Sequence, residues 1–337
     1  MLIYIPIFIF FGFFCTLLPG DALADEVHLK NGDHITGELI SKENGTVSVR
    51  TTYAGIILIK WNEVAHIATD QPVEVYLKNE TLAEVSEINA GPAKEDGEKA
   101  AAIPASEVQY LNPPPYITGK GILWSGRLDA GYWANDGNYN KKRFNFDGQL
   151  GARSKKKRYT LSGGYLFVED EGVETESKSK GAAKIDHFFN TKWYGTAQIK
   201  LKKDRFKDIN LRTIVGGGPG HQFWESRNLN LSVESGFDYV MVDYVEDPNQ
   251  KYPAFRFALD FDKFLIENRL QAFHNHQFNS NLEDVEDLLF SSQSGFRIPV
   301  MTNLTTTIEI DYDWDNQPAD HKNRGDTTYK FSVGYSW

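Results

Sequence analysis

Two histidines stand one residue apart in His274-Asn275-His276, with a serine close behind at Ser280. On a strand, residues two apart share a face, so the imidazoles would stand side by side, able to relay a proton or hold a metal. A serine hydrolase needs a hydroxyl, an imidazole base and a group that orients the base. Neither a third metal ligand nor a nucleophile on a neighbouring strand can be read at a defined spacing. The plainer reading is a polar strand end entering a loop. Gly216-Gly217-Gly218-Pro219-Gly220-His221 has the composition of a phosphate cradle. Such a cradle needs a helix N-terminus behind it, and strand or turn follows here. The glycines read instead as a bend or close packing within a strand. Asp311 and Asp313 share a strand face, but nothing around them raises a pKa, and they suit a polar wall better than an acid and base. No catalytic residue, metal site or cofactor is expected.

The elements that would carry these residues are strands. The chain has 337 residues, with 13% aromatic and 24% charged residues, 22 Phe and 16 Tyr. Its mean hydropathy is -0.45. Abundant aromatics with low mean hydropathy fit many strands that are apolar on one face only. From Ile122 onward, twelve segments alternate with period two, spanning about 122–133, 142–153, 158–168, 178–188, 193–203, 210–222, 228–242, 253–263, 265–278, 287–298, 302–314 and 327–337. In Leu304 to Trp314, Leu304, Thr306, Ile308, Ile310, Tyr312 and Trp314 oppose Thr305, Thr307, Glu309, Asp311 and Asp313. Long polar connections, such as 169–177, 243–252 and 315–326, alternate with short turns such as Ser154 to Lys157. That alternation, with strands long enough to cross hydrocarbon, is the pattern of an outer-membrane barrel. Trp133, Trp193, Tyr244 and Trp314 would supply interfacial girdles.

Ahead of these segments lie three shorter regions. Residues 1–24 read as a signal peptide: an apolar run from Leu2 to Leu18, then Ala22-Leu23-Ala24 as a small-x-small cleavage site. An uncleaved anchor is the rival reading. Cys15, the only cysteine, would leave with the signal, so the mature chain has no disulfide or thiol chemistry. Residues 25–90 hold short strands joined by turns at Asn31-Gly32 and Asn44-Gly45, giving a small SH3 or Sm-like β-domain. The phrase Val-x-Leu-Lys-Asn occurs at Val27 to Asn31 and again at Val75 to Asn79, as a degenerate repeat would. This domain reads either as a binding module for a periplasmic partner or as a plug or spacer. Its acidic balance gives no support to nucleic-acid binding. Residues 91–120, Ala- and Pro-rich, read as a linker.

The fold class expected is therefore all-β: a closed antiparallel transmembrane β-barrel of about 12 strands over residues 121–337, preceded by a small SH3/Sm-like periplasmic β-domain. The sequence resembles the domain-of-unknown-function family 481, the YdiY-like salt-induced outer membrane proteins of Gram-negative bacteria. The resemblance rests on Leu123 to Tyr132 (LWSGRLDAGY), on Gly216 to Gly220, on the aromatic C-terminus, and on Val27 to Asp33 with Tyr53-Ala54-Gly55 and Trp61. It implies an outer-membrane location and a link to salt or osmotic stress, and it brings no catalytic residues.

The lumen of such a barrel would be charged asymmetrically. Residues 120–210 hold 19 Lys plus Arg against 11 Asp plus Glu, and residues 211–337 hold 10 against 19. A basic wall facing an acidic wall would place a transverse field across the pore. Lumen-lining candidates by strand parity are Arg127, Arg153 and Lys200 on one side, with Glu234, Asp260, Glu309, Asp311 and Asp313 on the other. The chain ends Tyr335-Ser336-Trp337, which has the form of an insertion signal read by the barrel assembly machinery. The expected function is a non-enzymatic narrow pore or an envelope-integrity protein, with outer-membrane lipids as surroundings. An outer-membrane lipid hydrolase using His274 or His276, or a structural or adhesive barrel without conductance, is the alternative.

Overall fold

The structure is a computed structural model that describes residues 24–43, 45–89, 103–137, 140–266, 268–301 and 303–337. Residues 1–23 of the signal-peptide reading, with Cys15, and residues 91–102 of the linker lie outside the described residues. The chain divides into two compact units, Met1–Asn112 and Pro113–Trp337.

The first unit is one sheet built from β1 (Asp25–Leu29), β2 (His34–Glu43), β3 (Thr46–Thr51), β4 (Gly55–Lys60), β5 (Val64–Leu77), β6 (Leu82–Asn89), β7 (Ile103–Pro104) and β8 (Val108–Leu111). The order is β4-β3-β2-β1-β5-β6-β7, and β8 pairs with both β2 and β5. Strands β2, β1, β5 and β8 thereby close into a ring. Val27, Ile67, Val75 and Leu111 on these strands, with Val47 and Val49 on the adjoining β3, are fully buried and form one apolar core. The sheet is larger than the sequence reading, because residues 103–111, read there as linker, carry β7 and β8. Proline and alanine content hid two short strands whose Val108 and Leu111 belong to the core.

The repeated Val-x-Leu-Lys-Asn phrase is a repeated structure. Each copy ends a strand and enters the same turn: Leu29 N donates to Asp33 O at 2.8 Å, and Leu77 N to Thr81 O at 2.9 Å. The Asn31 side chain accepts from Asp33 N at 3.0 Å and that of Asn79 from Thr81 N at 3.1 Å. Each turn passes through a left-handed residue, Gly32 (φ 92°) or Glu80 (φ 65°). Lys30 N then donates to Glu63 O and Lys78 N to Glu107 O, both at 2.9 Å. The flanking registers skip one residue at the same place, with Leu29 opposite Val64 and Leu77 opposite Val108.

The second unit is a closed antiparallel transmembrane barrel of twelve strands. These are β9 (Leu123–Asn135), β10 (Lys141–Arg153), β11 (Lys157–Asp170), β12 (Val173–Phe188), β13 (Trp193–Asp204) and β14 (Ile209–Glu225), followed by β15 (Leu229–Tyr244), β16 (Gln250–Ile266), β17 (Leu270–Asn281), β18 (Leu288–Pro299), β19 (Leu304–Asp315) and β20 (Gly325–Ser336). Neighbours in sequence pair throughout, and β20 closes on β9 from Val333 opposite Ala130 to Ser336 opposite Arg127. A short helix, α1 (Pro115–Thr118), precedes the barrel.

Each of the twelve alternating segments forms a strand, but the loop pattern is weaker than expected. On one side the connections have five, two, four, five, six and nine residues; on the other they have three or four. The loop expected over 169–177 is a two-residue hairpin instead. Glu171 (φ 50°) and Gly172 (φ 78°) make the turn, and the polar residues on either side of it extend β11 and β12. Strands β12, β14, β15 and β16 run to 16 or 17 residues, whereas β17 to β20 have 12, so one wall is taller than the other.

Outward positions carry the apolar band. Tyr329, Phe331, Val333 and Tyr335 are each 45–67% exposed on β20, as are Ile308 and Ile310 on β19 and Phe237 and Tyr239 on β15 at comparable levels. Inward positions on the same strands, Thr328, Lys330, Ser332, Thr307, Glu309, Glu234 and Asp238, are buried. In water this arrangement would expose a large apolar belt and bury charge, and in a bilayer both costs reverse sign.

Candidate functional site: a lumen crossed by ion pairs

The barrel encloses a cavity of about 430 Å³. Seven of the eight lumen candidates, Arg127, Lys200, Glu234, Asp260, Glu309, Asp311 and Asp313, line it. Arg153 does not. It sits at the short-turn mouth, where its Nε and a terminal nitrogen meet both oxygens of Glu225 at 2.9 and 3.0 Å. Its guanidinium lies 3.7 Å from the centre of the Phe188 ring and 5.3 Å from that of Tyr116 in α1. A bidentate pair stacked on aromatics is a strong, orienting use of arginine.

The basic and acidic walls do not face each other across open water. They meet. Lys202 on β13 reaches Asp313 on β19 at 2.8 Å, and those strands stand opposite each other in a ring of twelve. Arg212 on β14 reaches Asp315 on β19 at 2.6 Å, Lys178 on β12 reaches Asp326 on β20 at 3.2 Å, and Lys180 reaches Asp311 at 3.5 Å. The expected transverse field is therefore replaced by contacts that span the lumen.

Two buried hubs organise the network. Arg256, with no exposed surface, donates to Glu234 at 2.8 Å and lies 3.2 Å from Asp238. Glu234 also accepts from Lys184 and from the Tyr194 hydroxyl, while Asp238 accepts from Asn279 at 2.9 Å and Gln198 at 3.2 Å. Tyr194 stands beside Gly220, where a Cβ would lie 2.4 Å from its ring. The glycine run is thus close packing inside β14, with no helix behind it. The second hub is Lys330, within 3.0 Å of Asp147, Glu309 and Asp311 at once. Charges taken out of water must be paired and hydrogen-bonded in this way to be tolerated.

Two charges that line the cavity have no ion-pair partner among the described residues. Among the described residues lining the cavity, Lys200 has no carboxylate within 4.0 Å; its Nζ donates to the Gln277 side chain at 2.6 Å. Asp260 has no cation within that distance and accepts only a long 3.4 Å bond from Asn230.

At the loop side the inward face changes character. Ile209, Val240, Val242, Tyr244, Tyr252, Ala254, Leu289 and Ala319 form an apolar cluster. Tyr244 is thus part of an inner plug and not of an interfacial girdle. Ala319 lies in the nine-residue connection between β19 and β20, whose Asp320 N donates to Asp247 on the β15–β16 connection at 2.7 Å. Parity along these strands places the same residues inward, and at this end the inward face is apolar.

The histidines face outward. Inward positions on β17 are Phe273, Gln277, Asn279 and Asn281, all buried, so His274 and His276 lie on the opposite, lipid-facing side with Ser280. The chain's end closes the seam. Gly126 N donates to Trp337 O at 3.1 Å and Trp337 N to Gly126 O at 3.0 Å, while the Trp337 ring fills the space above Gly126 where a Cβ would be 2.1 Å away. The Tyr335 hydroxyl accepts from Asn303 at 2.9 Å.

The family described as "Protein of unknown function, DUF481" matches residues 128–337. The chain belongs to this family. The match covers the barrel apart from the first part of β9, and the small domain lies outside it. No curated protein matches the chain. Among solved structures, the NanC porin is 10% identical over 63% of this chain and 99% of its own, with a TM-score of 0.41. The KdgM porin is 9% identical over 64% and 99%, with a TM-score of 0.33. The translocator domain of the autotransporter NalP from Neisseria meningitidis is 12% identical over 64% and 88%, with a TM-score of 0.35. The DUF481 description assigns no activity, so the lumen of this member must be read from its own residues.

Proposed function

We propose that this DUF481 protein is an outer-membrane barrel whose lumen forms a narrow, charge-barred passage for small polar solutes, with the small domain on the periplasmic side. The observation that carries the reading is the Lys202–Asp313 pair, which joins opposite strands across the lumen beside a 430 Å³ cavity. A membrane barrel has a polar interior whether or not it conducts, and what speaks for a passage is the space left open. This one keeps a polar cavity, crosses it with ion pairs and holds Lys200 and Asp260 along it without an ion-pair partner among the described residues. A solute carrying both charges, or passing as a counterion, finds partners there without leaving either wall bare. The link to salt stress implied by the family resemblance has a physical counterpart, since salt weakens those cross-bars that water reaches.

The test is the conductance of the refolded full-length protein in planar bilayers. Wild type should pass small currents, and Lys202→Ala with Asp313→Ala should raise them several-fold by removing the bar. Silence in both proteins, with the barrel folded, would reject the passage and leave the envelope-integrity reading.

A further inference from the structure

A second site stands on the outer wall, away from the lumen. In the register of β17 and β18, His274 is opposite Ser294 and His276 opposite Ser292. All four side chains project from the lipid-facing side. Ser294 Oγ lies 2.7 Å from His274 Nδ1, and His274 Nε2 lies 2.9 Å from His276 Nδ1. Around them stand the rings of Phe257 and Phe290, 5.9 and 5.8 Å from that of His276, and Leu259, Phe261 and Phe296 follow in register. A polar cluster at this position is costly in hydrocarbon, where such residues mark function more often than structure.

We propose that Ser294, His274 and His276 form an acyl-transfer site for the ester bonds of membrane lipids. The hydrogen bonds run in line from hydroxyl to imidazole to imidazole. When His274 Nε2–H donates to His276 Nδ1, the His274 Nδ1 lone pair is left to accept the Ser294 proton, which is the arrangement of nucleophile, base and orienting group. Ser294 Oγ attacks the ester carbonyl while His274 takes its proton. The tetrahedral intermediate then collapses, the alkoxide leaves with the proton from His274, and the acyl group remains on Ser294. Water, deprotonated by His274, attacks that ester, releases the fatty acid and restores the serine. The Ser292 hydroxyl, two residues from Ser294 on the same face, is the donor available to the oxyanion.

The depth suits this substrate. His274 is four residues from the short-turn end of β17. At the rise and tilt of a barrel strand that is roughly 10 Å from the rim, in the leaflet on the short-turn side and closer to its headgroups than to the bilayer centre. Phe257, Phe290 and Phe296 give the chain an apolar surface beside the nucleophile. The sequence placed Ser280 near these histidines, but Ser280 is on their own strand and is not the partner.

The test uses the full-length protein refolded in mixed micelles of detergent and phosphatidylethanolamine, with fatty-acid release and fluorophosphonate labelling as readouts. Release should occur, the label should map to Ser294, and Ser294→Ala should abolish both. His274→Ala should cut release at least 100-fold. His276→Phe, which removes a positioning group, should lower kcat with KM little changed. A folded barrel that neither labels nor releases fatty acid overturns the proposal, as does full release by Ser294→Ala. If Ser294→Ala fails to assemble, the label map on wild type decides, since a label elsewhere or none rejects the site. Conductance is read separately, so failure here leaves the lumen reading standing, and failure there leaves this one.

Discussion

In the small domain the inward positions of a closed ring are Val27, Ile67, Val75 and Leu111, while the inward positions of the barrel are Arg256, Asp186, Glu234 and Lys330. Outside, the order inverts: the small domain shows Lys30, Glu38 and Lys60 to solvent, and the barrel shows Phe237, Tyr329 and Phe331 to lipid. Both are written with the same period-two alternation. What differs is the medium each outer face meets, and hence which face must be satisfied from within the protein. The small domain is held by the hydrophobic effect, which lipid cannot supply between apolar surfaces. The barrel relies on its closed hydrogen-bonded ladder and on polar contacts inside.

The comparison breaks most visibly at the seam. Deleting Trp337, or replacing it with Ser, should leave export intact and cut the folded barrel at least about tenfold, because closure against Gly126 loses both its ring packing and its address. Heat-modifiable gel mobility reads the folded fraction, and normal assembly of the variant would remove this role from the terminus. Gly126→Val should act likewise, since a Cβ there meets the Trp337 ring. Next in size, Val75→Asp places an unpaired charge in the core of the small domain and should unfold it, at a cost of about 4 kcal/mol or more. Proteolysis would then remove residues 25–112 and spare the barrel.

Inside the barrel the same logic runs with polar groups. Arg256→Met should destabilise the barrel by about 3–5 kcal/mol, because Glu234 and Asp238 lose their shared partner. Adding Glu234→Gln and Asp238→Asn should recover much of it, as followed by urea unfolding in vesicles. A failure to recover would mean that shape and not charge sets the hub.

The smallest effect sharpens the contrast from the other side, since the small domain also buries a cation. Lys42 donates to the carbonyls of Val108 and Gln109 and lies 4.6 Å from the centre of the Trp61 ring. Burial, helped by Lys78, lowers its pKa to about 8. Between that value and the ordinary lysine range, the unfolded chain holds a proton that the folded one lacks. Stability should therefore rise with pH across that window, by roughly 1–3 kcal/mol, and be lowest below pH 8. Lys42→Met should flatten the slope in thermal melts of the small domain's signal. An unchanged slope would assign it to another group.

Much of the barrel was legible because alternation over long segments fixes both the strand and its two faces. Leu304 to Trp314 and Thr327 to Trp337 fell on the faces expected, and seven of the eight lumen candidates line the cavity. Strand ends were harder to place. Glu169 to Ser177 is polar yet belongs to β11, its hairpin turn and β12, and polarity alone does not separate a strand from a loop. Partnerships across the barrel were also out of reach. That Lys202 meets Asp313, or His274 meets Ser294, depends on register and closure, which no local window contains. The strand inside the expected linker escapes a local window for a related reason: β8 is four residues long and is a strand only because β2 and β5 are there to receive it.

The unequal walls have a mechanical corollary. On the low side, β19 and β20 carry the longest connection, and that connection leans toward the tall side, where Ala319 packs among Ile209, Val240 and Tyr252. The tall strands thus act as a doorpost and the 316–324 segment as a latch resting on it. The longest connection of the barrel thus bridges both walls at this mouth, so a change within it is felt by both at once.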